Sequence, residues 1–196
     1  MTTDVETTAS GEQDLRPNLA VLFGVGAAVA LISTVSLPWP LALASTVLGA
    51  LMIAGAEVDA RTHLLPDTVT CGGIVLGIVA APALDPFEPW QSTTAAAGAR
   101  AAATAFALLL LRWCYARLRG REGLGFGDVK LAAAVGAWLP LTSVPFCFAL
   151  ATCAALIVVV SAWMRGESIN ASAKLPFGAF LCPALWLVFY AGELQS

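Results

Sequence analysis

Apolar residues run along this chain in seven blocks, at about 18–35, 40–58, 68–83, 94–112, 128–141, 145–164 and 176–192. Most blocks approach roughly 20 residues, the length at which an α-helix crosses the hydrocarbon of a bilayer. Backbone groups in hydrocarbon must bond within their own segment or a closed barrel, so uninterrupted blocks of this kind predict helices. Breakers separate them. Pro38 and Pro40 split the first two blocks, and Leu65-Pro66-Asp67 closes one hairpin and opens the third helix. Pro82, Pro86 and Pro89 surround an acidic loop with Asp85 and Glu88, and Pro140 and Pro145 bracket the gap after block five. That block is short, so a six-span arrangement merging it with block six stays open beside the seven-span one. The Ala-rich stretches reflect helix composition and define no repeat. The expectation is an all-α polytopic membrane helical bundle of about seven transmembrane helices, forming one domain over residues 18–196. Residues 1–17 set Asp4, Glu6, Glu12 and Asp14 against Arg16 and read as a disordered polar tail. A cleavable signal would open on basic residues before a short apolar run, so the first helix is expected to stay.

Composition supports this. Of 196 residues, 59% are hydrophobic and 12% charged, with mean hydropathy +0.82, more apolar material than a soluble domain of this size hides. The net charge of −3 says little about partners. Arg112, Arg117, Arg119 and Arg121 form the one basic cluster, which reads as a cytoplasmic loop that sets topology; no nucleic-acid partner is expected. The five cysteines, at 71, 114, 147, 153 and 182, form no C-x-x-C pair and mostly fall inside predicted helices. They read as small packing residues, not as a zinc ribbon or disulfide framework. With His63 the only histidine, a His-based metal cage or a Ser-His-Asp triad has little to draw on, and no metal or cofactor is expected.

Basic residues also orient the bundle. Arg61, the arginine cluster, Lys130, Arg165 and Lys174 fall in or beside the loops after blocks two, four and six. The other loops carry none. Arg100 stands apart, inside block four, and is expected to snorkel or to face the bundle. The asymmetry predicts a cytoplasmic N-terminus, seven spans and an external C-terminus in a cell inner membrane, with membrane lipid as surroundings.

Within this frame two aspartates stand out. Asp59 opens Asp59-Ala60-Arg61-Thr62-His63-Leu64-Leu65-Pro66-Asp67, and Asp128 closes Gly123-Leu124-Gly125-Phe126-Gly127-Asp128 before Val129 and Lys130. Charge counting puts both at the cytoplasmic face. A carboxylate near a bilayer is costly, and two that meet point to a function. Peptide hydrolysis by an aspartyl pair needs one carboxylate to activate water and one carboxylic acid to protonate the carbonyl oxygen. Two carboxyls held close share a proton and titrate together. Asp59 lies near the end of block two and Asp128 near the start of block five, so helix dipoles predict that Asp59 holds the proton more often. Gly125 and Gly127 remove side chains beside Asp128, which permits close approach of backbone or substrate; alone they would read as flexible loop glycines. Glu57 is a rival acid, but two residues from Asp59 it points about 200° away around a helix.

The glycine segment, continued by Lys130-Leu131 and Ala133-Ala134-Val135-Gly136-Ala137-Trp138, resembles the G-x-G-D segment of type IV prepilin peptidases. Asp59 through Asp67, with Thr68 and Thr70, resembles that family's Asp and Leu-Pro-Asp motif. Leu175-Pro176-Phe177-Gly178-Ala179-Phe180-Leu181 resembles its Pro-Phe-Gly segment. Three motifs in order are far more specific than one. The resemblance implies a membrane aspartyl endopeptidase that removes the leader of prepilins or pseudopilins, with Asp59 and Asp128 catalytic. Gly125, Gly127, Lys130, Pro66, Asp67, Pro176 and Gly178 are the supporting motif residues, and Asp67 is expected to cap the third helix. Long family members add a domain with paired C-x-x-C motifs and methylate the cleaved pilin. This sequence has no such pairs and resembles the short, peptidase-only form. Two other readings stay in view. Pro183-Ala184-Leu185 echoes presenilin-like proteases, which also use a G-x-G-D aspartate, although Val58 rather than Tyr precedes Asp59. A transporter or assembly protein would use Asp59 and Asp128 for protons or cations, nearer the midplane.

Overall fold

The computed structural model describes residues 17–119, 125–166 and 176–195, which form seven helices. The expected polar tail, Arg121, Gly123, Leu124, Lys174 and Leu175 lie outside the described residues. Helix α1 (Leu19–Ser36) starts at Asn18, whose side chain accepts the Ala20 N–H at 3.0 Å, a side-chain cap. Pro38 caps α2 (Trp39–Thr62), with Pro40 in the first turn, where a missing N–H costs nothing. The helix α2 ends in a left-handed cap at His63, with φ 56° and ψ 25°. After the short linker comes α3 (Asp67–Leu84), then the 30-residue α4 (Trp90–Arg119), then α5 (Phe126–Trp138), α6 (Val144–Met164) and α7 (Phe177–Glu193).

Seven helices match the seven blocks, and blocks five and six are separate helices. Five of the helices, α1 to α4 and α6, are long and apolar enough to cross a membrane. The helix α5 has 13 residues, about 20 Å at 1.5 Å per residue. Its place explains its length. Val129 and every residue from Leu131 to Trp138 are buried, so α5 is covered on all sides. It packs against α3, α4, α6 and α7, while α2 packs against α1, α3 and α7. The core runs through Leu48 and Met52 on α2, Leu131 and Val135 on α5, and Leu181 and Leu185 on α7. Trp138 closes its far end, edge-on to Phe189 with ring centres 5.4 Å apart and its indole N–H donating to the Gly73 carbonyl at 2.8 Å.

Outside this core the surface stays apolar. Phe146, Leu156, Ile157, Val158, Val160 and Trp163 on α6 are all exposed, as are Leu19, Phe23, Leu31 and Val35 on α1. Faces of that size suit hydrocarbon, not water. Two expectations change. Arg112, Arg117 and Arg119 lie on the last turns of α4, not in a loop, because the helix outlasts its apolar stretch. Cysteine packing holds for Cys147 and Cys182, which are buried, but Cys71 and Cys153 face outward. Arg100 faces the bundle, its Nε donating to the Gly136 carbonyl at 3.3 Å.

Candidate active site

Asp59 sits in the last turn of α2 and exposes only 4% of its surface. Its Oδ2 accepts the backbone N–H of Ala179 at 2.8 Å, and the Gly178 N–H also acts on it. Those donors belong to the first turn of α7, whose N–H groups have no partners within the helix. The Pro-Phe-Gly segment thus has a physical task. Pro176 caps the helix, which points its first free N–H groups at Asp59. Gly178 lets the carboxylate come this close: a Cβ there would lie 2.8 Å from Asp59 Oδ2 and 2.6 Å from Leu65 Cδ1.

Asp128 is half-buried in the first turn of α5, and its Oδ2 accepts the Gly125 N–H at 3.3 Å, a reach-back that ties down the helix start. Leu65, just after α2, lies against Gly178 beside Asp59 and against Gly127 next to Asp128, so the two aspartates border one space. The helices α2, α5 and α7 therefore converge on one polar point, at the end of the bundle that also carries Arg61, Arg112 and Lys130.

Lys130 and Asp67 pair with each other, Nζ to Oδ1 at 2.6 Å, and join the start of α3 to α5. This corrects the capping role expected of Asp67. Pro66 is the residue before the helix, Asp67 is its first member, and its carboxylate turns to Lys130. Phe126 lies near both Arg112 Cζ and Lys130 Nζ, 5.7 and 5.8 Å from its ring centre. Glu57 has a structural use: it accepts the Asn18 N–H at 2.9 Å and pairs with Arg61 at 2.8 Å, which pins α1 to α2 on the side away from Asp59. Among the described residues no group of three His, Cys, Asp or Glu side chains is placed to hold a metal ion.

Two contributors escaped the sequence reading. Ala179 acts through its backbone, which residue type does not reveal. Leu65 was read as turn punctuation, yet its side chain fills the space beside Gly178 and Gly127. The space that Gly127 was expected to leave open is occupied by Leu65.

Residues 46–160 match the model of the type IV leader peptidase family. The chain is 39% identical over 131 residues to the leader peptidase HopD of Escherichia coli, covering 66% of this chain and 81% of that protein. HopD of Salmonella typhimurium is 36% identical over 143 residues, covering 67% of this chain and 84% of that protein. A prepilin leader peptidase/N-methyltransferase of Dickeya chrysanthemi is 35% identical over 143 residues, 68% of this chain but 47% of that protein. The chain spans about half the length of the peptidase/N-methyltransferases it matches. No solved structure matches it. The matched region covers more than half of the chain and contains both aspartates, so this multi-pass membrane chain belongs to the type IV leader peptidase family.

Proposed function

We propose that this protein is a membrane-embedded aspartic endopeptidase that cleaves the leader peptide of type IV prepilins or prepilin-like proteins at the cytoplasmic face of the inner membrane. One observation supports the reading: Leu65 packs against both Gly178, which borders Asp59, and Gly127, which precedes Asp128, so helix ends far apart in sequence bring the two aspartates to one space beside Arg61 and Lys130. Water held between them is activated by the ionised carboxylate. It attacks the scissile carbonyl, whose oxygen takes the proton of the other carboxyl. Protonation of the departing amine then completes the cleavage. The dipole argument for a protonated Asp59 loses its force, because the first N–H groups of α7 offset the end of α2 at the same carboxylate. The pair is therefore best written as a dyad with one shared proton.

The substrate is a prepilin or pseudopilin, whose apolar helix lies in the membrane with its leader at the interface, beside Asp59 and Asp128. Support for a peptidase without methyl transfer comes from the HopD relatives, most of whose length this chain covers. The test is purified protein in detergent with a candidate prepilin, read by mass spectrometry. Leader-free product with an unmodified N-terminus is expected, even when S-adenosylmethionine is added. An uncut prepilin would sink the peptidase reading, and a methylated product made by this chain alone would sink the peptidase-only form.

A further inference from the structure

Leu65 fills the space between the glycines that border Asp59 and Asp128. The Oδ2 of Asp59 rests against the bare Cα of Gly178, and Leu65 Cδ1 rests against the same Cα: a Cβ on Gly178 would come within 2.8 Å of one and 2.6 Å of the other. The other flank of Leu65 meets Gly127, the residue before Asp128, where a Cβ would lie 3.3 Å from Leu65 Cβ and 3.6 Å from Leu65 Cδ1. One apolar side chain thus fills the space between two glycines that border the two aspartates. Asp59, at 4% exposure, is closed off with Leu65 in this position. A protein interior is close-packed, so a peptide carbonyl and a Leu65 side chain cannot share that space.

The segment that carries Leu65 is suited to moving. It is the short link from the left-handed cap His63 to Pro66, between the ends of α2 and α3. Its hydrogen bonds run to the helices it joins: His63 N–H to the Asp59 carbonyl at 2.9 Å and Leu64 N–H to Thr62 Oγ1 at 3.3 Å in α2, and the Pro66 carbonyl from the Val69 and Thr70 N–H groups of α3 at 3.0 and 3.2 Å. None of these bonds crosses to α5 or α7. Leu64 is 61% exposed, so the link lies at the surface while Leu65 reaches inward.

We propose that Leu65 is a gate over Asp59. Its side chain occupies the position taken by the apolar substrate residue next to the scissile bond, and the link 63–66 swings outward to admit the substrate. The identity of what enters rests on the peptidase reading; the closure over Asp59 does not. The test uses the full chain in detergent, treated with a water-soluble carbodiimide and a small amine, with amide formation at Asp59 mapped by mass spectrometry. Leu65→Ala should raise the rate of Asp59 modification on the order of tenfold, since the rate follows the population of the open form. Leu65→Phe should lower it, and Leu64→Ala should leave it at the wild-type rate. The KM for a prepilin should fall in Leu65→Ala by the factor by which labelling rises, because a rarely open site weakens apparent affinity by that same fraction. Wild-type labelling of Asp59 in a folded Leu65→Ala protein would overturn the gate. If that variant does not accumulate, Leu65→Val carries the same test with a smaller expected rise. A wild-type protein that cuts no prepilin would remove the peptidase reading, and the labelling comparison would still decide the gate.

Discussion

At the residue level, the proposed mechanism rests on two carboxyls, Asp59 and Asp128, and on what touches them. Asp59→Asn and Asp128→Asn should each abolish prepilin cleavage while leaving the protein inserted, because an amide can neither share the proton nor deliver it. Near-normal turnover in either variant, read against membrane levels, would remove that residue from the dyad. Asp67 belongs to a different class. Its pair with Lys130 is solvent-accessible, with side chains 72% and 32% exposed, so solvent screens it and it contributes little to stability. Asp67→Asn and Lys130→Met should therefore each reduce cleavage only severalfold, and the double variant should be no worse than the poorer single one. A double variant at the product of the two single losses would mean that the residues act separately. The sequence drew attention to Asp59 and Asp128, because acids are conspicuous in apolar surroundings, and the structure pairs the rival acid Glu57 with Arg61 and the Asn18 N–H. The sequence could not expose the Asp67–Lys130 pair, the Ala179 amide or the Leu65 contact. Each of these joins residues between about 60 and 120 positions apart in the chain, and only packing brings them together.

At the scale of the helices, apolar run length predicted the number of elements but not their ends. The helix α4 continues through its arginines because Arg is a good helix former, and basic side chains suit the negative end of a helix dipole. The brevity of α5 made its span ambiguous in sequence, and its burial on all sides resolves that. Small residues are what let α5 sit in the middle. At Gly136, on α5, a Cβ would collide with Thr104 Oγ1 and with the Arg100 backbone carbonyl of α4. The carbonyl belongs to a helix and cannot swing away, so α4 and α5 would have to part. Gly136→Ala should cost about 1–3 kcal/mol, as overpacking does, and lower the midpoint of thermal unfolding in detergent. Gly98→Ala, where nothing lies within 4 Å of the added carbon, is the matched control and should leave the midpoint unchanged or slightly raised. Equal midpoints for Gly136→Ala and wild type would show that the two helices tolerate a wider separation than their packing indicates.

At the scale of the whole molecule, the argument is about which way the bundle faces. The helix α3 has 18 residues, about 27 Å long, close to the hydrocarbon thickness of a bilayer. It separates two loops of opposite character. At one end the link 63–66 stands beside Arg61, Lys130 and the aspartates. At the other end the acidic loop 85–89 carries Asp85 and Glu88, and Phe87 at 97% exposure. Basic loops stay in the cytoplasm, so the two ends of α3 should be reached from opposite sides of the membrane. Cysteines placed at Leu64 and at Phe87 can report this in sealed cells treated with a membrane-impermeant maleimide. The background needs Cys71, Cys114 and Cys153 replaced by alanine, whereas Cys147 and Cys182 have no exposure and can remain. The Phe87→Cys protein should label in intact cells, and the Leu64→Cys protein only after the membrane is opened. The reverse order would put the dyad on the outer side, out of reach of a leader that has not crossed. Labelling of both from one side would mean that α3 does not span at all, and the charge argument for a cytoplasmic site would then fail with it.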